Sequence, residues 1–209
     1  MVDRSGWDEL TSKNPDHSRW YIERFRSMAA AGDDLAGEAR FVDAMVPRSA
    51  RILDAGCGPG RVGGFLADAG HTVVGVDGDP DLIAAAREDH PGPTWLVGDL
   101  AEIDLPSKGV GEGFDAIVCA GNVMPFLAPS TRREVLTRLG RHLRLHGRIV
   151  VGFGSGRGYE FDHFRDDVNA GELELELELG SWDLRPLTDQ SDFIVAVLAH
   201  RTAGEVGFG

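Results

Sequence analysis

Three aspartates each close a short apolar run, at nearly even intervals: Asp54 in "RILDA", Asp77 in "VVGVD" and Asp99 in "WLVGD". A glycine-rich stretch, "LDAGCGPGRVGG", runs from Leu53 to Gly64 between the first two. Glycines at 56, 58 and 60 let the backbone come close to a bound group, and carboxylates accept hydrogen bonds from hydroxyls and amines. One acid after an apolar run is weak evidence, because turns favour Asp. Three behind a glycine loop point to a nucleoside ligand. A dinucleotide fingerprint is G-x-G-x-x-G, with the pyrophosphate on a helix N-terminus. Here the pattern is G-x-G-x-G, and Arg61 stands where the third glycine belongs. Asp77 suits a ribose in either reading, so the loop alone leaves the cofactor open. Asp99, placed to accept from an exocyclic amine, and the abundance of acid favour a cationic nucleoside over a pyrophosphate.

Positioning those acids requires strands that end together. Apolar runs at Arg51–Ala55, His71–Val76, Thr94–Val97, Phe114–Ala120 and Arg148–Gly154 alternate with helical patterns at Gly60–Ala69, Asp79–Asp89 and Pro129–Leu143. Such alternation predicts a doubly wound α/β sheet whose ligands bind beyond the carboxyl ends of the parallel strands. Those ends are Asp54, Asp77-Gly78, Asp99-Leu100, Gly121-Asn122 and the segment "GFGSGRGYEF" from Gly152 to Phe161. The C-terminal third changes character. "ELELELEL" (Glu172–Leu179) alternates and predicts a strand with one wet face; "DFIVAVLAH" (Asp192–His200) is apolar throughout and predicts a buried one. An antiparallel hairpin follows, with the Glu-rich strand outermost, where charge protects an edge. N-terminal to the sheet, residues 1–17 read as polar and turn-rich. Helices are expected from Ser18, as N-cap, to about Ala31 and from Asp34 to Met45. This organisation divides the chain into a helical cap or lid at 1–46, a main domain at 47–202 and a flexible tail at 203–209.

The 209 residues are 42% hydrophobic and 26% charged, with a formal net charge of −13. That field repels polyphosphate, so no nucleic-acid partner is expected. The arginines from Arg132 to Arg148 read as the solvated face of a helix. Two cysteines, Cys57 and Cys119, make no disulfide framework, and no long apolar span occurs, so a soluble cytoplasmic protein is expected.

The motifs "ILDAGCGPG", "VVGVDGDP", "VGDL" and "FDAIVCAGNVMPFL", in this order and spacing, resemble those of the class I S-adenosylmethionine-dependent methyltransferases. The specific motifs cover about residues 50–154, and the strand pattern extends the likeness to about 201. The resemblance implies a Rossmann-like seven-stranded sheet of order 3-2-1-4-5-7-6 with strand 7 antiparallel. It also implies S-adenosylmethionine as cofactor. On matching positions, Gly56, Cys57, Gly58 and Gly60 form the loop, which Asp54 orients together with the amino end of the methionine group. Asp77, beside Gly78, takes the ribose hydroxyls, and Asp99 and Leu100 border the adenine. Ala120, Gly121 and Asn122 border the transferable methyl.

The acceptor is less legible. Absent are the Asn/Asp-Pro-Pro-aromatic motif of exocyclic-amine methylation, the Pro-Cys of cytosine-C5 chemistry and an acidic set for a magnesium ion. With the charge, this points to a small-molecule acceptor at O, N or C and to no metal. Five of the seven histidines fall at the opposite rim of the sheet; His17 and His163 do not. Candidate catalytic groups are therefore His163 and Tyr159, and candidate acceptor contacts are Tyr21, Arg24 and Arg157. The competing readings are a binding protein without transfer activity, a nicotinamide-dependent oxidoreductase and an RNA-modifying enzyme. Oligomeric state is not legible.

Overall fold

A computed structural model describes residues 4–201. The proposed tail at 203–209 lies outside the described residues. The first element among the described residues is α1 (Gly6–Lys13), which the sequence reading left as a turn-rich segment. Ser5 is its N-cap: Ser5 Oγ accepts from the Asp8 N–H at 3.0 Å. Eight residues with Trp7 as the main apolar anchor show too little periodicity to declare a helix. Next come α2 (His17–Ala30) and α3 (Gly37–Met45). Ser18 is not the N-cap of α2. The N-cap is Asp16, two residues earlier, and the buried Ser18 hydroxyl serves a distant carboxylate instead.

The alternation then runs β1 (Arg51–Ala55), α4 (Arg61–Asp68), β2 (Thr72–Asp77), α5 (Pro80–Asp89), β3 (Thr94–Val97) and β4 (Phe114–Cys119). It continues with a short α6 (Val123–Phe126), α7 (Arg132–His142), β5 (Leu143–Gly154), α8 (Phe161–Asn169), β6 (Leu173–Leu179) and β7 (Phe193–His200). The sheet order is β3-β2-β1-β4-β5-β7-β6, with β7 antiparallel to both neighbours and the remaining pairs parallel, as the resemblance implied.

Two details depart from expectation. Gly147 does not end a helix; it lies inside β5, which starts at Leu143 with an irregular register opposite Phe114 and Ala116. In β6 the strict Glu/Leu alternation is broken by a register shift between Leu175 and Leu177, which leaves Leu177 46% exposed. Ile194 to Leu198 of β7 are buried on both faces, as their unbroken apolar run requires.

Helices cover both faces of the sheet. On one side α7 and α8 pack on β4, β5 and β7 through Leu136, Leu139, Phe164 and Val168. On the other, α3 and α4 pack through Phe41, Val42, Val62 and Leu66 against Ile52, Val118 and Val150. Helix α3 therefore belongs to the main core.

Candidate cofactor and acceptor site

The β1–α4 loop lies across the carboxyl end of the sheet. Gly56 has φ +78°, and a Cβ there would sit 2.4 Å from Val123 Cγ2, so only glycine admits this contact between the loop and α6. The Gly58 N–H donates to Asp77 Oδ2 at 2.9 Å, and the Asp79 N–H donates to Asp77 Oδ1 at 2.9 Å. One carboxylate thus ties the loop to the end of β2. Burial raises the Asp77 carboxyl above its ordinary value against the pull of these N–H donors. Each oxygen holds one protein donor and keeps a lone pair for another.

Asp54 is buried at the end of β1 and accepts the Gly63 N–H at 2.8 Å, so it anchors the first turn of α4. Burial pushes this carboxyl up to about 7. Cys57 is packed with Ile83, Ala86 and Trp95, and burial pushes its thiol well up, which keeps it a protonated packing group. Gly60, at φ +84°, leads into α4.

Further along the rim, Asp99 is exposed and accepts the Ala101 N–H at 2.8 Å, beside the buried Leu100. Ala120 is buried, and Gly121 and Asn122 both take left-handed backbone conformations, at φ +75° and +66°. Asn122 Oδ1 accepts the Gly154 N–H at 2.8 Å, which joins the ends of β4 and β5. The backbones of Gly78 and Gly121 face open space, with no atom near where a Cβ would stand. The carboxyl ends of β2 and β4 thus offer room beside free carboxylate lone pairs, which fits a ribose and a cationic amino acid.

Helices α1 and α2 cover this rim. The Tyr21 ring lies 3.7 Å from where a Gly58 Cβ would stand, and burial raises the Tyr21 phenol above its ordinary value. Trp7 meets Tyr21 and Phe126 edge-on and donates from Nε1 to Asp79 Oδ2 at 2.8 Å. Ser18 Oγ donates to the same oxygen at 2.5 Å. Asp79 Oδ1 meanwhile caps α5 by accepting the Asp81 N–H at 2.8 Å. Burial pushes the Asp79 carboxyl up, but these donors outweigh it and hold it below the ordinary value. Arg61 forks onto both oxygens of Glu38 at 2.8 and 2.5 Å, which docks α3 on the loop. The sequence places Asp79 at the start of a helical pattern but does not reveal its tie to Trp7 and Ser18, since nothing local marks a contact spanning 72 residues.

The remaining candidates divide. Arg24 is exposed and lies over Trp20 and Phe25, each 5.8 Å from the ring centroid. Arg157 is exposed beside Gly154. His163 is exposed on α8. Tyr159 is withdrawn as a catalytic candidate. It is 1% exposed, stacked on Phe153, and its hydroxyl donates to Asp167 Oδ2 at 2.7 Å. Arg132 is likewise not solvated: it is 8% exposed, with its guanidinium 4.1 Å from the Tyr159 ring centroid. Among the described residues no group of His, Cys, Asp or Glu side chains could hold a metal ion, and no helix is long and apolar enough to cross a membrane.

A strand order with an inserted antiparallel β7, a glycine loop held by the acid of β2 and a covered carboxyl rim define a class I nucleoside-cofactor fold. The family described as "Methyltransferase domain" matches residues 52–147. A TehB-like SAM-dependent methyltransferase from Corynebacterium glutamicum is 49% identical with a TM-score of 0.84, covering 90% of this chain and 100% of its own. The chain belongs to the S-adenosylmethionine-dependent methyltransferases, and the oxidoreductase reading falls. An uncharacterized methyltransferase of Synechocystis is 27% identical over 88% of this chain and 84% of its own length. A dTDP-3-amino-3,6-dideoxy-alpha-D-glucopyranose N,N-dimethyltransferase of Streptomyces fradiae is 31% identical over 57% of this chain, which spans 47% of that relative's length.

Proposed function

We propose that this methyltransferase holds S-adenosylmethionine along the carboxyl rim and methylates a small-molecule acceptor at O, N or C. When bound, the cofactor supplies a methyl group activated on a sulfonium. The loop from Gly56 to Gly60, with Asp54 behind it, takes the amino-acid end. Asp77 takes the ribose hydroxyls, Asp99 and Leu100 the adenine, and Ala120 to Asn122 the end that carries the methyl. The observation that carries this placement is the Asp77 carboxylate, fixed by the Gly58 and Asp79 N–H groups with lone pairs to spare.

The cap proposed for residues 1–46 narrows to α1 and α2, because α3 packs into the core. Trp7, Tyr21 and Phe126 exclude water from the rim, and such enclosure suits in-line transfer to a compact acceptor. The charge of −13 supports a partner other than nucleic acid. The amino-sugar relative is named for a small acceptor, in keeping with this reading. Two buried free thiols support a reducing, cytoplasmic setting.

The test is isothermal titration with S-adenosylhomocysteine, with NADH in parallel. Micromolar binding of the homocysteine nucleoside that is lost in Asp77→Ala supports the placement. Binding indifferent to Asp77 refutes it.

A further inference from the structure

Two hydrogen-bond donors at the carboxyl ends of β4 and β5 have no partner among the described residues. The first is the Asn122 amide. Its Oδ1 accepts the Gly154 N–H, and only the amide oxygen can do so. Its Nδ2 is therefore turned away from Gly154, with no acceptor of its own. The second is Arg157, in the loop between β5 and α8. Its Nε lies 3.5 Å from where a Gly154 Cβ would stand, and Asn122 Oδ1 lies 3.6 Å from the same point. Asn122 Oδ1 and Arg157 Nε are thus no more than about 7 Å apart.

Arg157 makes no ion pair or hydrogen bond among the described residues. Arg26, Arg61, Arg144 and Arg165, by contrast, hold carboxylates. Asp192 lies close, since its backbone oxygen is 3.5 Å from the Gly154 point, yet its carboxylate does not pair with Arg157.

The surroundings are braced. Buried Arg132 donates to Gly158 O at 3.0 Å and to Pro125 O at 3.4 Å, and it has no carboxylate in ion-pair range among the described residues. It fastens the loop that carries Arg157 to the α6 segment that follows Asn122. Burying the Arg132 guanidinium against the Tyr159 ring carries a desolvation cost that this fastening offsets only in part.

We propose that Asn122 Nδ2 and Arg157 form a subsite for an anionic oxygen group, a carboxylate or a phosphate, on the methyl acceptor. This rests on the placement of the methyl-bearing end of the cofactor at Ala120 to Asn122 given above. A guanidinium fork matches both groups in geometry and charge, and the amide adds a neutral donor beside it. The overall negative field repels anions, so recognition of one here needs an unspent local cation.

The test is a nitrogen-15 NMR titration of the full chain, free and loaded with S-adenosylhomocysteine. The probes are sodium acetate and inorganic phosphate, with sodium chloride at matched ionic strength. Saturable shifts of the Asn122 side-chain amide and the Arg157 Nε–H are expected with acetate or phosphate, not with chloride. The anion that saturates first tells a carboxylate from a phosphate. Arg157→Met is expected to weaken that binding about tenfold, the loss of one charge-assisted pair, and to leave S-adenosylhomocysteine affinity unchanged. Shifts that do not saturate, or equal anion binding by Arg157→Met, overturn the proposal. Failure of the wild type to bind S-adenosylhomocysteine would instead remove the cofactor placement, and the titration of the free chain would still decide the subsite.

Discussion

The Asp77 carboxylate accepts the Gly58 amide N–H at 2.9 Å across the end of the sheet. That bond makes the cofactor loop and the end of β2 one unit. A group that takes the ribose and also shapes the loop should be intolerant of small changes. Asp77→Asn keeps the size but replaces one acceptor oxygen with a donor that faces an N–H. The expected outcome in isothermal titration is at least a tenfold loss of S-adenosylhomocysteine affinity, since a hydrogen bond to a charged group contributes about 1.5–3 kcal/mol.

Asp79 Oδ2 receives both Trp7 Nε1 and Ser18 Oγ, so it latches α1 and α2 over the rim. The double variant Trp7→Phe with Ser18→Ala removes both donors and keeps most of the packing. Stopped-flow measurement should show S-adenosylhomocysteine leaving roughly ten times faster, on the scale of about 1.4 kcal/mol per tenfold. An unchanged release rate would mean that the two helices do not cover the ligand.

Arg61 and Glu38 are each 17% exposed in their side chains. Burial pushes the Glu38 carboxyl up, but the Arg61 guanidinium outweighs it and holds it below the ordinary value. Breaking a fully buried pair costs about 3–5 kcal/mol, and partial exposure reduces this to about 1–2 kcal/mol here. Glu38→Gln is therefore expected to lower the urea midpoint without changing its slope.

Burial raises Asp54 to about 7 in the folded chain. The unfolded chain releases the same proton near pH 4, so between about pH 4 and 7 the folded state holds more protons. This contribution to stability is complete below the unfolded value and is lost as pH rises through the folded one. It amounts to roughly 4 kcal/mol at most, by about 1.36 kcal/mol per pH unit. Urea unfolding at pH 5 and pH 8 should show the wild type losing stability over this range relative to Asp54→Asn. A cationic ligand group beside Asp54 would expel the proton, so ligand binding near pH 6 is expected to release it to buffer.

Tyr159 packs on Phe153 and donates to Asp167, away from any acceptor. Tyr159→Phe is expected to cost about 1 kcal/mol of stability and to leave S-adenosylhomocysteine binding and methyl transfer intact. A large loss of turnover with unchanged stability would restore it to the site.

The sheet was legible because its information is local. Arg51–Ala55 and Phe114–Cys119 are short apolar runs between breakers, and the unbroken run in β7 against the charged alternation of β6 orders the final hairpin. The three acids and the glycine loop were legible for the same reason: each lies at or just beyond the carboxyl end of its strand, and topology brings strand ends together. Helix α1 was not, since eight residues with one large apolar anchor carry little period. The start of β5 was misplaced because Gly147, a stop signal in a helix, is also tolerated at an irregular strand register.

What the sequence by itself determined is the class: strand order, cofactor loop and the acids beyond the strands follow from periodicity, glycine spacing and the family motifs. What only the tertiary structure decided is how side chains from distant segments meet. Asp79 became a latch, Tyr159 and Arg132 became core, and Arg157 was left without a carboxylate. The physical reason is that backbone conformation responds to near neighbours in the chain. The environment of a polar side chain is set instead by which remote donor, acceptor or ring the fold places against it.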